Sequence, residues 1–571
     1  MKYNLRYKCS DLESLLRARG IEDIDKFLNP TFEDEHDPEL LNNCKEAAKK
    51  IIEACNQLDK TIHLVVDCDQ DGFTSAGMVY MYCKKIAPEK KIEYYIHTEK
   101  QHGLEDMLDI LEEACDSGDL IVVPDAGSND FEYHETLSKI CDIVVIDHHD
   151  CKQESKFAIV VNNQMSENYP NKELSGAGVV YKVLEEIDRI LHIDLAQEFI
   201  DLAAIGIIGD MTSVITPENR YIIDTGLQCI QNGCFKEIIH AQKFSIKDQS
   251  RPTPRDVSFY ITPLINALIR VGTQSQKEVL FESIVNSEKI VDSTKRGEKG
   301  QQECITTQNA RNCTNAKARQ TRELTKSIDF VKMQIEKYNL NENSVILVEV
   351  DDEVPNPLTG LVAMKILEEY KKATLIFRKS GNFFKGSARA NNHGEIKDFR
   401  AFCDNSGLFD FAEGHPCAFG ESIPCENVKR FTDYANEKLA SVNFNENIYD
   451  VDYVYDAKDG DSSSELNNFI FDVGDYKDIW GKDNEEPLIV VKNINVTKDM
   501  FAVMGKGTIK LCVNGITLIK FGGADLIDEL DDDATYELTA IGTANVNEWN
   551  GRQTSQILVD ELCFRDTTLD F

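Results

Sequence analysis

Three short apolar runs in the first third of the chain each end in acidic or histidine residues, and this recurrence narrows the possible folds more than any other feature. The first lies in His63 to Gly77, HLVVDCDQDGFTSAG, where the run ends in Asp67, Asp69 and Asp71 before Gly72 releases the backbone into a helix expected near Thr74 to Gly77. If strand geometry persists through the acids, alternate side chains share a side and three carboxylates crowd one edge. The second run, Leu120 to Val123, leads to Asp125 before Gly127, and the third, Ile143 to Ile146, to Asp147, His148, His149 and Asp150. Helix-compatible stretches, Glu105 to Cys115 and Phe131 to Ile140, connect them. The pattern predicts an α/β domain with a parallel sheet whose carboxyl edge carries the chemistry. Carboxylates gathered there repel one another unless a cation neutralises them.

The ligand types restrict that cation. Carboxylates with imidazoles suit Mn²⁺ or Mg²⁺, and the 17 cysteines show no close C-x-x-C pair that would mark a zinc knuckle or a disulfide framework. A further run, Ala158 to Val161, ends in Asn162, Asn163 and Gln164. In ELSGAGVVYKVLEEI the small residues Ser175, Gly176 and Gly178 admit either a phosphate or a neighbouring helix at the helix start. The apolar helix Leu195 to Ile208 ends at Gly209 and Asp210, an acid that in isolation reads as a cap.

In their order and spacing, the D-x-D-x-D-G run, the D-x-G and the D-H-H triplet resemble the DHH phosphoesterase superfamily, and the chain as a whole resembles its RecJ-type single-strand DNA exonucleases. The lead-in around Phe27 to Pro30 and Asp37-Pro38, the YP-x-x-x-LSG-x-G segment from Tyr169 and the placement of Asp210 extend the likeness. The resemblance implies Asp69, Asp71, Asp125, His148 and Asp210 as ligands of two Mn²⁺ or Mg²⁺ ions, with Asp125 bridging them. It casts Asp67, Asp147 and His149 as catalytic: Asp67 completes or backs the ligand set, Asp147 orients, and His149 contacts phosphate or transfers a proton. Ser175 is implied as a phosphate neighbour. Asn266 and Arg270 resemble polar positions of a P-R-x-N-A-x-G-R motif, although Leu264 stands for its Arg and Ile269 for its Gly. In KGSARANN and AEGHPCAFG the likeness implies Ser387, Arg389, His415 and Gly420 as substrate contacts, while Glu413 departs from the Gly expected beside the Gly-His pair. Lys295, Arg296, Lys299, Arg311, Lys317, Arg319 and Arg322 could line a helical crossing over substrate, or simply face solvent.

A chain of 571 residues, 42% apolar, exceeds one ordinary core. The segments expected are an amino-terminal cap (1–58), a DHH catalytic α/β domain (59–225), a helical connector (226–340), a DHH-associated substrate-binding α/β domain (341–444) and an OB-like nucleic-acid-binding barrel (445–571). The barrel expectation rests on separated β-like runs from Pro487 to Leu562, with a hairpin cue at Asn514-Gly515. There Trp549 could stack on a base with Arg552 nearby, or pack within its hairpin. The formal charge of −37 argues against indiscriminate polyanion binding, yet screening limits the repulsion to about 8 Å at physiological salt. No run reaches membrane-spanning length and the amino terminus lacks a secretion signal's apolar core, so a cytoplasmic location is the default expectation; a monomer is expected. The function the resemblance implies is metal-dependent hydrolysis of single-stranded DNA from the 5′ end to mononucleotides, with a single-strand-binding protein or a helicase as candidate partner; the residues by themselves reach a two-metal phosphoesterase with a two-lobed cleft. The alternatives are a phosphodiesterase for short oligonucleotides or signalling dinucleotides, and an inactive nucleic-acid interaction module.

Overall fold

The computed structural model describes every residue except 99–100, 152, 299, 445, 506, 550 and 568–571, together with all side chains of the remainder but that of Trp549. Lys299 and the Trp549 side chain therefore lie outside the described residues. The chain divides into two compact units. One comprises Asp23–Gln320 with Lys477–Glu485; the other comprises Met1–Glu22, Thr321–Tyr476 and Glu486–Phe571.

The first unit is organised by an all-parallel sheet of β1 (Thr61–Val66), β2 (Lys91–Ile96), β3 (Leu120–Pro124), β4 (Asp142–Asp147) and β5 (Ile159–Asn162), in the order β2-β1-β3-β4-β5. Its near-continuous apolar runs follow from burial on both faces. Side chains alternate between two cores: Ile62, Leu64, Val66, Leu120, Val122, Val144 and Ile146 enter one, and Val65, Ile121, Val123, Ile143 and Val145 the other. Each such residue contributes about 1.5–3 kcal/mol of burial. The first core receives helices α1 (Gln70–Ile86), α2 (Gly176–Leu191) and α3 (Ile200–Gly209); the second is closed by Leu111 and Leu137. The order reverses between β1 and β3, a switch point where a crevice opens at the strands' carboxyl ends.

The lead-in segment is fastened to this unit by charge. Lys182 of α2, 1% exposed, lies 2.5 Å from Glu185, 3.4 Å from Glu218 and 3.7 Å from Glu35. Glu218 also accepts from the Tyr169 hydroxyl at 2.8 Å and from the His36 N–H at 3.0 Å. Burial pushes the Glu35 carboxyl up to about 8 even with Lys182 beside it.

The other unit holds a mixed sheet of β6 (Ile346–Glu349), β7 (Thr374–Ser380), β8 (Phe383–Arg389), β9 (Phe411–His415) and β10 (Ala418–Pro424), ordered β9-β10-β8-β7-β6. It also holds a seven-stranded sheet of β11 (Tyr453–Asp456), β12 (Leu488–Val496), β13 (Phe501–Met504), β14 (Thr508–Val513), β15 (Ile516–Lys520), β16 (Tyr536–Trp549) and β17 (Arg552–Asp566), ordered β11-β12-β16-β17-β15-β14-β13. Register shifts at Val491/Ile494 and Ile541/Gly542 are the irregularities that bend long strands in small barrels. The helix Ile305–Lys337 runs through the boundary between the units at residues 320 and 321.

These units depart from the expected segments at both ends. Residues 1–58 are not one cap: the strand Lys2–Leu5 pairs in parallel with Ile448–Val451, which carries Met1–Glu22 into the second unit. Conversely, Lys477–Glu485 belongs to the first unit, where Arg220 donates to the Asp478 carbonyl at 2.9 Å and carboxylate at 3.0 Å, and the Val214 N–H to the Lys482 carbonyl at 3.1 Å.

Glu421 of β10 is 1% exposed, and neither carboxylate oxygen has a hydrogen-bond partner among the described residues. Burial alone pushes its carboxyl up to about 8. Because the folded value lies above the unfolded one of about 4.3, the folded chain retains a proton the unfolded chain has released, and stability falls as pH rises from about 4.5 to about 8. Glu421→Gln is expected to remove that component, so its stability gain over wild type grows by on the order of 1 kcal/mol per pH unit across the window. Urea denaturation at pH 5, 6.5 and 8.5 measures it; an equal difference at all three would refute the assignment.

Candidate active site

The strand β1 ends at Val66, and the acids after it leave strand geometry at once. Asp69 is the N-cap of α1, its carboxylate accepting the Gly72 N–H at 3.0 Å, and the helix begins at Gln70 rather than near Thr74. The expected alternation through Asp67, Asp69 and Asp71 therefore does not occur: one acid ends the strand, one caps the helix and one lies in its first turn. They still converge, because the helix folds back over the strand end. Gly72 permits this, since a Cβ there would stand 2.5 Å from that of Asp67.

Asp125, after β3, takes a left-handed conformation with φ of 69° while its N–H donates to the Ile146 carbonyl at 2.7 Å. Such a conformation in a residue other than glycine is costly and concentrates at functional sites. It brings Asp125 Oδ1 within 3.4 Å of His148 Nε2, which is also 3.7 Å from Asp210 Oδ2 at the end of α3. Ligand-capable atoms of Asp67, Asp69 and Asp125, of Asp71, His148 and Asp210, and of Asp125, His148 and His149 form three groups, each within 4.8 Å.

The electrostatics are those of a site built for a cation. Asp67 Oδ1, Asp71 Oδ2 and Asp125 Oδ1 are buried with no hydrogen-bond partner among the described residues. Burial, reinforced by the charge of Asp69, pushes the Asp71 carboxyl up to about 7. Burial and then Asp71 and Asp69 raise Asp125 and Asp210 well above the ordinary carboxylate range, and burial with Asp67 raises Asp69. Partnerless buried oxygens at this density fit a hard divalent ion such as Mn²⁺ or Mg²⁺. His148, lowered to about 4 by burial and the charge of His149, presents a neutral imidazole suited to coordination.

Asp147 behaves differently. It accepts the His148 N–H at 2.7 Å, the His149 N–H at 3.2 Å, His149 Nδ1 at 2.8 Å and the Ser128 N–H at 2.9 Å. Burial opposes its charge, but the His149 bond and the histidine charges outweigh burial and hold it far below the usual range. His149 is correspondingly raised to about 9, burial opposing and the Asp147 bond prevailing.

Ser175 is fully buried; its hydroxyl donates to Asp71 Oδ1 at 3.1 Å and caps α2, accepting from the Gly178 N–H. It holds Asp71. Asn266 and Arg270 lie one helical turn apart on the helix Thr262–Val271, and Arg270 is within electrostatic reach of Asp69. Of the connector's basic residues, Lys295 pairs with Glu298 at 2.5 Å and Arg311 with Glu303 at 2.5 Å, while Arg319 donates to the Val271 carbonyl. In the second unit, Ser387 on β8 shares a 3.1 Å hydrogen bond with Thr359, and Arg389 donates to the Ala388 carbonyl at 2.7 Å and lies against Gly360. Gly420 sits on β10 opposite Ser387; His415 ends β9, exposed, after Gly414 at φ of 131°. Arg552 begins β17, exposed, opposite Trp549 in register.

Sequence reasoning missed His102, whose Nδ1 bonds Asp67 Oδ2 at 2.7 Å, because nothing local ties it to an acid 35 residues earlier. It also missed the segment Lys477–Glu485, whose Gly481 fits against Val214, four residues after Asp210; a Cβ on Gly481 would stand 2.6 Å from Val214.

This parallel sheet, with acids at its switch point and a D-H-H turn after β4, defines a DHH-type phosphoesterase core. The DHH family, N-terminal domain, matches residues 61–207, and the RecJ OB domain matches residues 463–561. The SPbeta prophage-derived protein of Bacillus subtilis (strain 168) named for a single-strand DNA-specific exonuclease, YorK, is 36% identical over 567 residues, covering 97% of this chain and 96% of that one. RecJ of the same organism is 25% identical, covering 96% of this chain and 67% of that protein. Among solved structures, RecJ of Thermus thermophilus in complex with Mn²⁺ aligns with a TM-score of 0.70 at 18% identity, over 96% of this chain and 75% of that one. The chain belongs to the RecJ-type family of single-strand DNA-specific exonucleases.

Gly206 of α3 provides a test of the packing behind the carboxylates. A Cβ there would meet Asp71 Oδ1 at 2.3 Å, Ala177 Cβ at 2.4 Å and Thr74 Oγ1 at 2.7 Å. Gly206→Ala is expected to displace Asp71, weakening Mn²⁺ binding roughly 10–100-fold for an overpacking cost of about 1–3 kcal/mol. Calorimetric Mn²⁺ titration alongside thermal unfolding separates the two, and unchanged affinity in a folded variant would refute the role.

Proposed function

We propose that the protein hydrolyses single-stranded DNA from its 5′ end, releasing mononucleotides, with two Mn²⁺ or Mg²⁺ ions held by Asp69, Asp71, Asp125, His148 and Asp210. The observation that carries this is the convergence of buried, partnerless carboxylate oxygens with a neutral His148 at the switch point of a RecJ-family chain. Bound there, the ions would supply an activated water and neutralise charge on the phosphodiester. Asp125, fixed by its left-handed backbone and shared by the group with Asp67 and Asp69 and the group with His148 and His149, is the residue that would bridge.

The remaining residues act through position and proton. Asp147 stays ionised, anchors the turn through both backbone amides and sets the His149 ring. His149 thereby keeps a proton at neutral pH on a side chain about half exposed, from which it can donate to a phosphate oxygen. Asp67 backs the ligand set, and Ser175 and the Ala177 N–H hold Asp71. Asn266 offers a buried side-chain oxygen with no partner among the described residues, and Arg270 a guanidinium, from one helix face.

We assign further substrate contacts to Ser387, Arg389, His415 and Gly420, and single-strand binding to the OB domain with Trp549 and Arg552 at its long hairpin. The same reading places a monomer in the cytoplasm, with a single-strand-binding protein or a helicase as protein partner. Among the described residues no helix is long and apolar enough to cross a membrane.

The full chain with Mn²⁺ is expected to degrade a long single strand faster than the matching duplex, to accumulate mononucleotides, and to be stopped by a 5′ block but not a 3′ block. Asp125→Ala should lower the rate roughly 10²–10³-fold or more with the far-ultraviolet dichroism retained. Short oligonucleotides and cyclic dinucleotides run in parallel decide the alternative; cleavage of these alone would overturn the exonuclease assignment.

A further inference from the structure

We propose that Asp67, Cys68 and His102 form a separate site for a thiophilic divalent cation, Zn²⁺, and that an ion there opposes turnover by taking Asp67 from the carboxylate centre; this second effect rests on the nuclease reading above. Ligand atoms of the three residues lie within 4.8 Å of one another. Cys68 Sγ is 3.8 Å from His102 Nδ1 and 3.6 Å from Nε2, and Nδ1 is 2.7 Å from Asp67 Oδ2. A tetrahedral zinc with ligands at about 2.0–2.3 Å separates its ligand atoms by roughly 3.3–3.7 Å. Cys68 Sγ, nearly equidistant from the two ring nitrogens, lies beside the His102 ring and along neither nitrogen's lone pair, so binding requires that half-exposed ring to turn a nitrogen toward the ion and the Asp67–His102 contact to open by about 0.6 Å.

The donor set gives the site its selectivity. Mg²⁺ and Mn²⁺ favour oxygen, whereas a thiolate, an imidazole and a carboxylate suit zinc and leave a fourth position for water. Coordination displaces two protons to solvent, one from the Cys68 thiol and one from His102, where burial opposes the imidazolium but the bonds to Asp67 and Cys68 prevail, so Asp67, the thiolate, the neutral imidazole and the ion sum to zero charge. This neutrality limits repulsion from Arg270, which is within electrostatic reach of Cys68. Cys68 is 5% exposed, but the His102 side chain is 48% exposed and provides the route from solvent. Competition follows from shared membership, since Asp67 also belongs to the group with Asp69 and Asp125.

The test uses the full chain loaded with Co²⁺ as a spectroscopic substitute. Wild type is expected to show a near-ultraviolet sulfur-to-cobalt charge-transfer band that Zn²⁺ abolishes. Cys68→Ser should lack the band, a comparison that isolates one thiol among 17. His102→Asn, at an exposed position, should bind Co²⁺ at least tenfold more weakly and serves if the cysteine variant does not fold. A band that persists in Cys68→Ser, or an affinity unchanged in His102→Asn, overturns the site. At saturating Mn²⁺, Zn²⁺ should inhibit wild type at least tenfold more strongly than Cys68→Ser; equal inhibition overturns the opposing role. A band without nuclease activity in any variant would leave the site standing and refute the nuclease reading instead.

Discussion

Mutual repulsion among buried carboxylates is the constraint around which the first unit is arranged. Asp67, Asp71 and Asp125 are each 1–2% exposed, and Asp69 and Asp210 stand close enough for their charges to raise their neighbours' affinity for protons. A fold relaxes such a cluster unless rigid elements hold it. Here the acids sit at the end of a strand, the cap and first turn of one helix, a strained turn and the end of another helix. None of these can retreat without breaking backbone hydrogen bonds. The stored repulsion becomes affinity when a cation enters, which is how one arrangement is costly for the empty protein and favourable for its chemistry.

The supports behind the cluster explain features with no direct role in it. Lys182, among three carboxylates, ties the helix that carries Ser175 and Gly176 to the lead-in segment, so the cap that positions Asp71 inherits the stiffness of a buried ion network. Removing one partner of such a network leaves an uncompensated buried charge, typically worth about 3–5 kcal/mol. The segment Lys477–Glu485 acts similarly on the turn after Asp210, through Arg220 and the Val214 amide. The last third of the chain thus contributes to the unit that carries the candidate metal ligands, as well as supplying the OB domain.

What was legible in the sequence were elements whose pattern is local. The runs at Leu120, Ile143 and Ala158 are strands because two-sided burial leaves no polar residue to blur them. The strand Lys91–Ile96 is an edge, with Lys91 exposed and Glu93 half-buried, so its apolar pattern is broken by two charged residues. The helix start was misplaced because three acids in alternation resemble a strand, whereas Asp69 serves as a cap. Ser175 was legible as a small residue at a helix start but not as a hydrogen-bond donor to Asp71, since that partner lies 104 residues away. The same distance argument covers His102 and the Arg220–Asp478 pair.

The charge of −37 sets the remaining problem, how so acidic a chain engages a polyanion. Screening confines surface repulsion to about 8 Å, so the sign of the field within that distance of the phosphate decides binding. At the site the formal carboxylate charge is opposed by a raised His149 and by Arg270, which is within electrostatic reach of Asp69, and would be opposed further by divalent cations held there. Elsewhere Arg311 is matched by Glu303 and Lys295 by Glu298, so these two connector residues add little net attraction. Attraction is therefore concentrated where the metal-ligand candidates lie, and it depends on those ligands being filled. An acidic surface of this kind discriminates against long duplex lying flat on the protein and favours a flexible strand that presents few phosphates at a time.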